Sequence, residues 1–261
     1  MRRRNSKVNV DAIMNTITRR AGFLAAAFFA ASVLLAEPAH AMHISDGVLP
    51  PSWAAFWWAL AIPFVVIGIK AYEKEKNGAK KPFIGLIGSA VFIISCMPVP
   101  VPVAGSCSHP CGTGLAALLI GPKLTVAISS VALVLQALFL AHGGITTMGA
   151  NIFSMGVAGA FSGYFVFRAA NKLGLGIFSS TFLAGLVSDW ATYAVTSLEL
   201  ASGLGSGGSA PAMFGALLAA FAPTQIPLGI MEGFVTASAF KFITERRPDL
   251  SLTPVKETVS E

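Results

Sequence analysis

The sequence predicts an all-α membrane protein of seven crossings, with its mature N-terminus outside and its C-terminus inside. Three observations predict it. First, 54% of the 261 residues are hydrophobic and only 11% are charged, where a soluble domain carries about a quarter of its residues as Asp, Glu, Lys and Arg. Second, apolar runs recur along the chain, separated by short loops rich in Gly, Pro or Lys. Third, the positive charges of those loops fall on alternate turns, as the positive-inside rule requires of one consistent topology.

Residues 1–20 are polar and basic, Gly22 to Ala36 is apolar, and Ala39-His40-Ala41 supplies small residues at the right spacing. A basic n-region, an h-region and an A-x-A site read as a secretory signal peptide over residues 1–41, with an uncleaved anchor helix as the competing reading. Six of the 18 basic residues lie in that leader, together with Asp11 and Glu37, so the formal charge of +6 falls to +2 without it. No basic stripe with interleaved aromatics remains, and the composition excludes a nucleic-acid partner. The residues beyond the leader suffice for about seven helices of roughly 20 residues each.

Trp53 to Ile69 is the first crossing, opened by aromatic residues suited to a membrane interface. It leads into Lys70 to Lys81, a loop with five lysines, which places that loop inside and the preceding end outside. Phe83 to about Met97 returns outward and stops at Pro98, Pro100 and Pro102. Each residue before a proline is held extended, so PVPVPVAG is stiff, irregular backbone that must be buried in protein or face water. The following GSCSHPCGTG is too polar for a lipid-facing helix.

A short element from about Pro110 to Gly121, thin or partly re-entrant, precedes the full crossing Leu124 to Leu140. Ala141 to Asn151 forms an outer turn, Ile152 to Phe167 runs inward to Arg168 and Lys172, and Ile177 to Leu198 runs outward with Asp189 inside its span. Pro211 to Phe242 is either one long crossing broken at Pro223 and Pro227 or a partial helix plus a crossing. The single crossing puts Lys241, Arg246 and Arg247 on the same side as the other basic loops, which selects seven crossings over eight. Close helix packing is expected at Gly156, Gly159 and Gly163 and around Gly85 and Gly88.

Met42 to Pro50, MHISDGVLP, follows the leader directly. Cleavage before Met42 frees an amine beside His43, and the amine, the His43 amide nitrogen and its imidazole can close two adjoining chelate rings on one ion. A fourth nitrogen completes a near-planar set that suits Ni(II) or Cu(II) and can be imposed on Co(II). With His40 lost in the leader, only His43, His109 and His142 remain, and all three fall on the predicted outer side. His109 lies in a glycine-bounded irregular loop. His142 is open between a ligand, a group holding a ligand and a helix-end residue. Asp46 can tie the N-terminal segment to backbone amides, with Gly47 allowing the turn. Cys96, Cys107 and Cys111 allow a Cys107–Cys111 disulfide or buried, unpaired thiols. Among polar groups inside the crossings, Gln136 and Asn151 read as hydrogen-bonding glue. Asp189 and Glu232 are costly in lipid and face the bundle interior, Glu232 being open between packing and a place in an ion path.

MHISDGVLP, PVPVAGSCSHPCGTGLAALLIGP, QALFLAHGGITTMGANIFSMG and IPLGIMEGFVT together resemble the CbiM/NikM family, the membrane substrate-binding subunits of energy-coupling-factor cobalt and nickel importers. The resemblance spans Met42 to about Pro248. It implies a six-helix transporter S-component bundle plus one extra N-terminal transmembrane helix, in a bacterial inner membrane. It implies that Met42 and His43 give three nitrogens and His109 the fourth, and that Asn151 and the His142-Gly143-Gly144 turn support the ion, here Co(II) or Ni(II) carried as substrate with no organic cofactor. Its partners would be a transmembrane coupling subunit, cytoplasmic ATPase subunits and a small additional membrane subunit. The chain itself has no Gly-x-x-x-x-Gly-Lys-Ser/Thr loop and is no ATPase. The expected domains are the signal peptide 1–41, the transmembrane metal-binding domain 42–248 and a polar C-terminal tail 249–261. A metal sensor or assembly factor that binds without moving the ion is the competing function. Ser45 where proline is frequent, the extra cysteines Cys107 and Cys111, and His142 where Asp is frequent depart from the family pattern. They leave cobalt against nickel open, with His142 leaning toward a nickel-type or divergent subgroup.

Overall fold

The computed structural model describes residues 43–76, 78–97, 99–101, 106–205, 209–247 and 249. The leader, Met42 and all of the expected tail except Asp249 lie outside the described residues, as does the side chain of Cys107. Among the described residues seven helices follow in order: α1 Pro51–Lys74, α2 Lys80–Ser95, α3 Thr113–Ile120, α4 Pro122–Leu140, α5 Met148–Lys172, α6 Ile177–Leu204 and α7 Ala210–Arg246. Between α2 and α3, strands β1 Val99–Val101 and β2 Ser106–Ser108 pair antiparallel, with Val99 opposite Ser108.

This is an all-helical membrane protein. Helices α1, α4, α5 and α7 are each long and apolar enough to cross a bilayer. Helix α6 has the length, at 28 residues, but less apolar character, since it carries Asp189 and Glu199. Large apolar side chains such as Leu86, Phe139, Phe165 and Phe234 are exposed on the outside of the bundle, where lipid accepts them without the cost that water exacts.

Helix α3 is the centre. All eight of its residues are buried, and its rise of about 12 Å is far less than the ~30 Å of a hydrocarbon core. It is short because glycines with positive φ stand at both ends, Gly112 at 69° and Gly121 at 87°, a conformation that interrupts a helix and costs other residues. The expectation of a thin helix ending at Gly121 is met. Pro122 then occupies the first turn of α4, where its missing N–H is no loss.

Helices α3, α5 and α6 touch through small residues. A Cβ on Gly163 would lie 3.0 Å from Ala184 O, and one on Gly114 would lie 2.9 Å from Ser188 Cβ. The packing expected at Gly159 and Gly163 is present, Gly156 makes ordinary contacts, and Gly88 lies against Ile128. Gly85 differs: among the described residues nothing stands within 4 Å of its would-be Cβ, so the spacing of glycines there marks no close helix contact among them.

Two further differences concern α5 and α7. Just after Asn151, α5 widens into a π-helical segment, Ile152–Gly159, a form that concentrates at functional sites. Helix α7 runs unbroken through Pro223 and Pro227 for 37 residues, so the single-helix alternative is the observed one. Proline is tolerated in such helices when neighbouring groups satisfy the freed carbonyls.

A three-histidine candidate metal centre

Before α1, residues 43–50 form a strap laid across the bundle, and hydrogen bonds account for its position. Ile44 N donates to Asn151 Oδ1 at 2.9 Å, and Ile44 O accepts from Asn151 Nδ2 at 3.1 Å, from Gly144 N at 3.1 Å and from the Thr147 hydroxyl. Asp46 accepts from Ile145 N at 3.1 Å, from Thr146 N at 2.7 Å and from the Thr146 hydroxyl. The Thr146 hydroxyl, with the backbone N–H groups behind it, holds the Asp46 carboxyl below its ordinary range. Ile44, Leu49, Ala54, Trp57 and Ala150 pack beneath the strap in a small apolar cluster.

Both halves of that junction depend on glycine. Gly47 turns the strap at φ 82°. Gly143, at the same φ, leaves room for the His43 side chain, whose Cβ would stand 2.8 Å from a Cβ added there.

The strap brings His43 to His109 and His142. Ring centroids lie 4.7 Å apart for His43 and His109, 4.9 Å for His43 and His142, and 6.1 Å for His109 and His142. One ring nitrogen from each falls within 4.8 Å of the others. His43 and His109 are buried and His142 is half-buried.

Hydrogen bonds fix which ring nitrogen is free in His43 and His109. Gln136 Nε2 donates to Ser95 Oγ at 2.7 Å and toward Cys96 Sγ at 3.3 Å, while the Ser95 hydroxyl donates to Val91 O. Gln136 Oε1 therefore faces His43 Nε2, 2.9 Å away, and must receive its proton. The lone pair of His43 is left on Nδ1. His109 Nδ1 lies 2.9 Å from Pro110 O, an acceptor only, so its Nδ1 carries the proton and Nε2 the lone pair. His142 Nε2 is buried with no hydrogen-bond partner among the described residues, an unpaired group in a ring of the cluster.

Burial holds these rings neutral. It lowers His43 well below the ordinary imidazole value, with His109 and His142 nearby adding to the effect; it lowers His109 to about 4 and lowers His142. Neutral imidazoles are the protonation state a metal ion needs.

The His109 loop is clamped from behind. Tyr193 OH lies 2.9 Å from His109 N and 3.2 Å from His109 O. Glu232 of α7 accepts from Cys111 N at 2.7 Å and from Gly112 N at 2.8 Å. Ser108 Oγ pairs with Thr224 Oγ1 of the same helix at 2.9 Å.

Of the residues expected at the site, His43, Asp46, His109, His142 and Asn151 converge here, and Met42 lies outside the described residues. Asn151 binds the strap backbone, and His142 closes the end of α4, its backbone N–H donating to Gln136 O at 3.1 Å, while its ring stands in the histidine cluster. Cys111 is a free, buried thiol that faces Asp189 and Glu232, while the other half of the expected Cys107–Cys111 pair, the Cys107 side chain, lies outside the described residues. Gln136, expected to serve as hydrogen-bonding glue, holds a candidate ligand. The available signal was a carboxamide inside an apolar helix, about one turn before its end at Leu140.

Residues 43–250 match the family CbiM, described as the cobalt uptake substrate-specific transmembrane region. The cobalt transport protein CbiM of Sorangium cellulosum is 58% identical over 211 residues, covering 80% of this chain and 94% of that protein. That of Geobacter sulfurreducens is 54% identical over 221 residues, 84% of this chain and 64% of the relative. A crystal structure of a truncated transition metal transporter superposes with a TM-score of 0.72 at 26% identity, covering 78% of this chain and 99% of the other.

Proposed function

The chain belongs to the CbiM family of cobalt transport proteins, the substrate-specific components of energy-coupling-factor transporters, and from that premise we propose that it captures Co(II) or Ni(II) at the outer membrane face through Met42, His43 and His109. The observation that carries this reading is the meeting of three neutral imidazoles, each with one ring nitrogen within 4.8 Å of the others, at the end of a hydrogen-bonded N-terminal strap. Which nitrogen is free supports it further. A chelate through the Met42 amine and the His43 amide can close its second ring only through His43 Nδ1, and Gln136 engages the opposite nitrogen. His109 Nε2 enters as the fourth nitrogen, and His142 closes the pocket from a third side.

The outer orientation is supported by where the charges lie. Lys74, Lys80, Lys123, Arg168, Lys172 and Arg246 stand at one set of helix ends. His43 precedes α1, His109 precedes α3 and His142 follows α4, at the other set. Lysine and arginine mark the cytoplasmic side, so the histidines face out. ATP-driven import then depends on a membrane coupling subunit and cytoplasmic ATPases supplied by other chains.

One added alanine ahead of Met42 tests the reading, because it converts the free amine into an amide and moves the new amine one residue away. Cells carrying that variant are expected to lose high-affinity Co(II) accumulation, whereas Met42→Ala, which keeps the amine, retains it. Wild-type uptake by the extended chain would remove the amine from the ligand set. Gln136→Leu is expected to weaken Co(II) binding by about 10–100-fold, the usual effect of removing a group that orients a metal-binding histidine. Isothermal titration of the purified mature chain measures it, and an unchanged affinity would reduce Gln136 to packing.

A further inference from the structure

Two residues past His109, the same loop carries a second set of donors that the histidine centre does not use. The Cys111 thiol, the Asp189 carboxylate of α6 and the Glu232 carboxylate of α7 each offer an atom within 4.8 Å of the others. Cys111 and Asp189 are fully buried and Glu232 is 3% exposed, so solvent does not compensate their charge. Cys111 Sγ lies 4.0 Å from Asp189 Oδ1, while Asp189 Oδ2 is buried with no hydrogen-bond partner among the described residues. The clamp on Cys111 N and Gly112 N holds Glu232 in the cluster and leaves its carboxylate oxygens further lone pairs.

Two carboxylates buried together require an offsetting positive charge or a shared proton. Among the described residues no lysine or arginine belongs to this cluster, since those residues sit at the opposite helix ends. The backbone approaches from the remaining side: a Cβ on Gly229 would stand 3.1 Å from Asp189 Oδ2.

We propose that Cys111, Asp189 and Glu232 form a second, inner site for a divalent transition metal, one step inward from the histidine cluster on the same loop. His109 and Cys111 are two residues apart, which bounds their Cα separation at about 7 Å, a short transfer for an ion leaving the outer nitrogens. One thiolate and two carboxylates suit Co(II) or Zn(II) in an open, non-planar geometry, and they suit square-planar Ni(II) poorly. Filling the site exchanges the ion for the thiol proton and for any proton the two acids share. The inference deepens the transport reading and rests on it, but its donors and its spectrum are separate.

The test uses the full mature chain in detergent with Co(II) alone. In a His43→Ala/His109→Ala background, which removes the outer nitrogens, a bound equivalent of Co(II) with thiolate-to-metal charge-transfer absorption is expected. Adding Cys111→Ser should abolish that absorption, and adding the near-isosteric Asp189→Asn should weaken the remaining binding at least tenfold, with folding of each variant checked by elution and circular dichroism. If the double histidine variant shows neither thiolate absorption nor bound Co(II), the cluster is a proton-sharing packing element and the inner site is wrong. If it instead keeps the nitrogen-ligand spectrum of the wild type, the outer assignment fails, whatever the cysteine does.

Discussion

His109→Ala is expected to bring high-affinity Co(II) accumulation down to the level of cells lacking the protein. The substitution removes the Nε2 lone pair and leaves the loop in place, because both bonds from Tyr193 go to the His109 backbone and Glu232 holds Cys111 and Gly112 by their N–H groups. Lost affinity would therefore reflect the lost ligand and not a collapsed loop. Removing a group that merely orients a ligand costs about 10–100-fold, so loss of the ligand should exceed about 100-fold. His43→Ala should match it, while His142→Ala, which leaves the proposed four nitrogens, should retain part of the uptake. Radiocobalt accumulation in cells decides the point: full loss with His142→Ala and retained uptake with His109→Ala would exchange their roles.

The legible part of this site was local. Asp46 and Gly47 announce a turn tied to backbone amides, and the structure has both the turn and the ties. His43, His109 and His142 could be gathered because topology puts loops on one side or the other, and their centroids do meet. Topology says nothing of which nitrogen faces inward. That depends on Gln136, 93 residues from His43, and on the Ser95 hydroxyl that orients its amide, a relay joining two helices and the strap with no mark in residue spacing. The same holds for Asp189 and Glu232, each readable alone as a costly polar residue but converging only because α6 packs along α7 through Gly229 and Gly233. Where the reading rested on glycine spacing alone it failed at Gly85, since a small residue permits close approach without requiring it. At Pro223 and Pro227 the sequence showed lost hydrogen-bond donors, and the helix nevertheless continues.

Gly144→Ala is expected to lower the apparent affinity for Co(II) by about 100-fold while leaving the helical bundle folded. The new methyl would meet the Asp46 backbone nitrogen, Asp46 Oδ1 at 2.5 Å and Thr147 Oγ1 at 2.6 Å, so backbone must move. The strap is the side that yields, because it is held at this junction chiefly by the bonds to Asp46, Ile44 and Asn151, whereas the turn from Gly143 to Asn151 is anchored in α4 and α5. Losing a few of those bonds, at about 0.5–1.5 kcal/mol each and more for the charged Asp46, shifts docking by about 3 kcal/mol, or roughly two powers of ten. An ion that binds only the docked strap sees its affinity reduced by that docked fraction. Asp46→Asn keeps an acceptor oxygen and loses only the charge, so it should cost about tenfold. The thermal midpoint of the apo protein should move little in either variant, since α3 and its surrounding helices form the core apart from the strap. Unchanged Co(II) affinity in Gly144→Ala would show that the ion does not depend on a docked N-terminal strap.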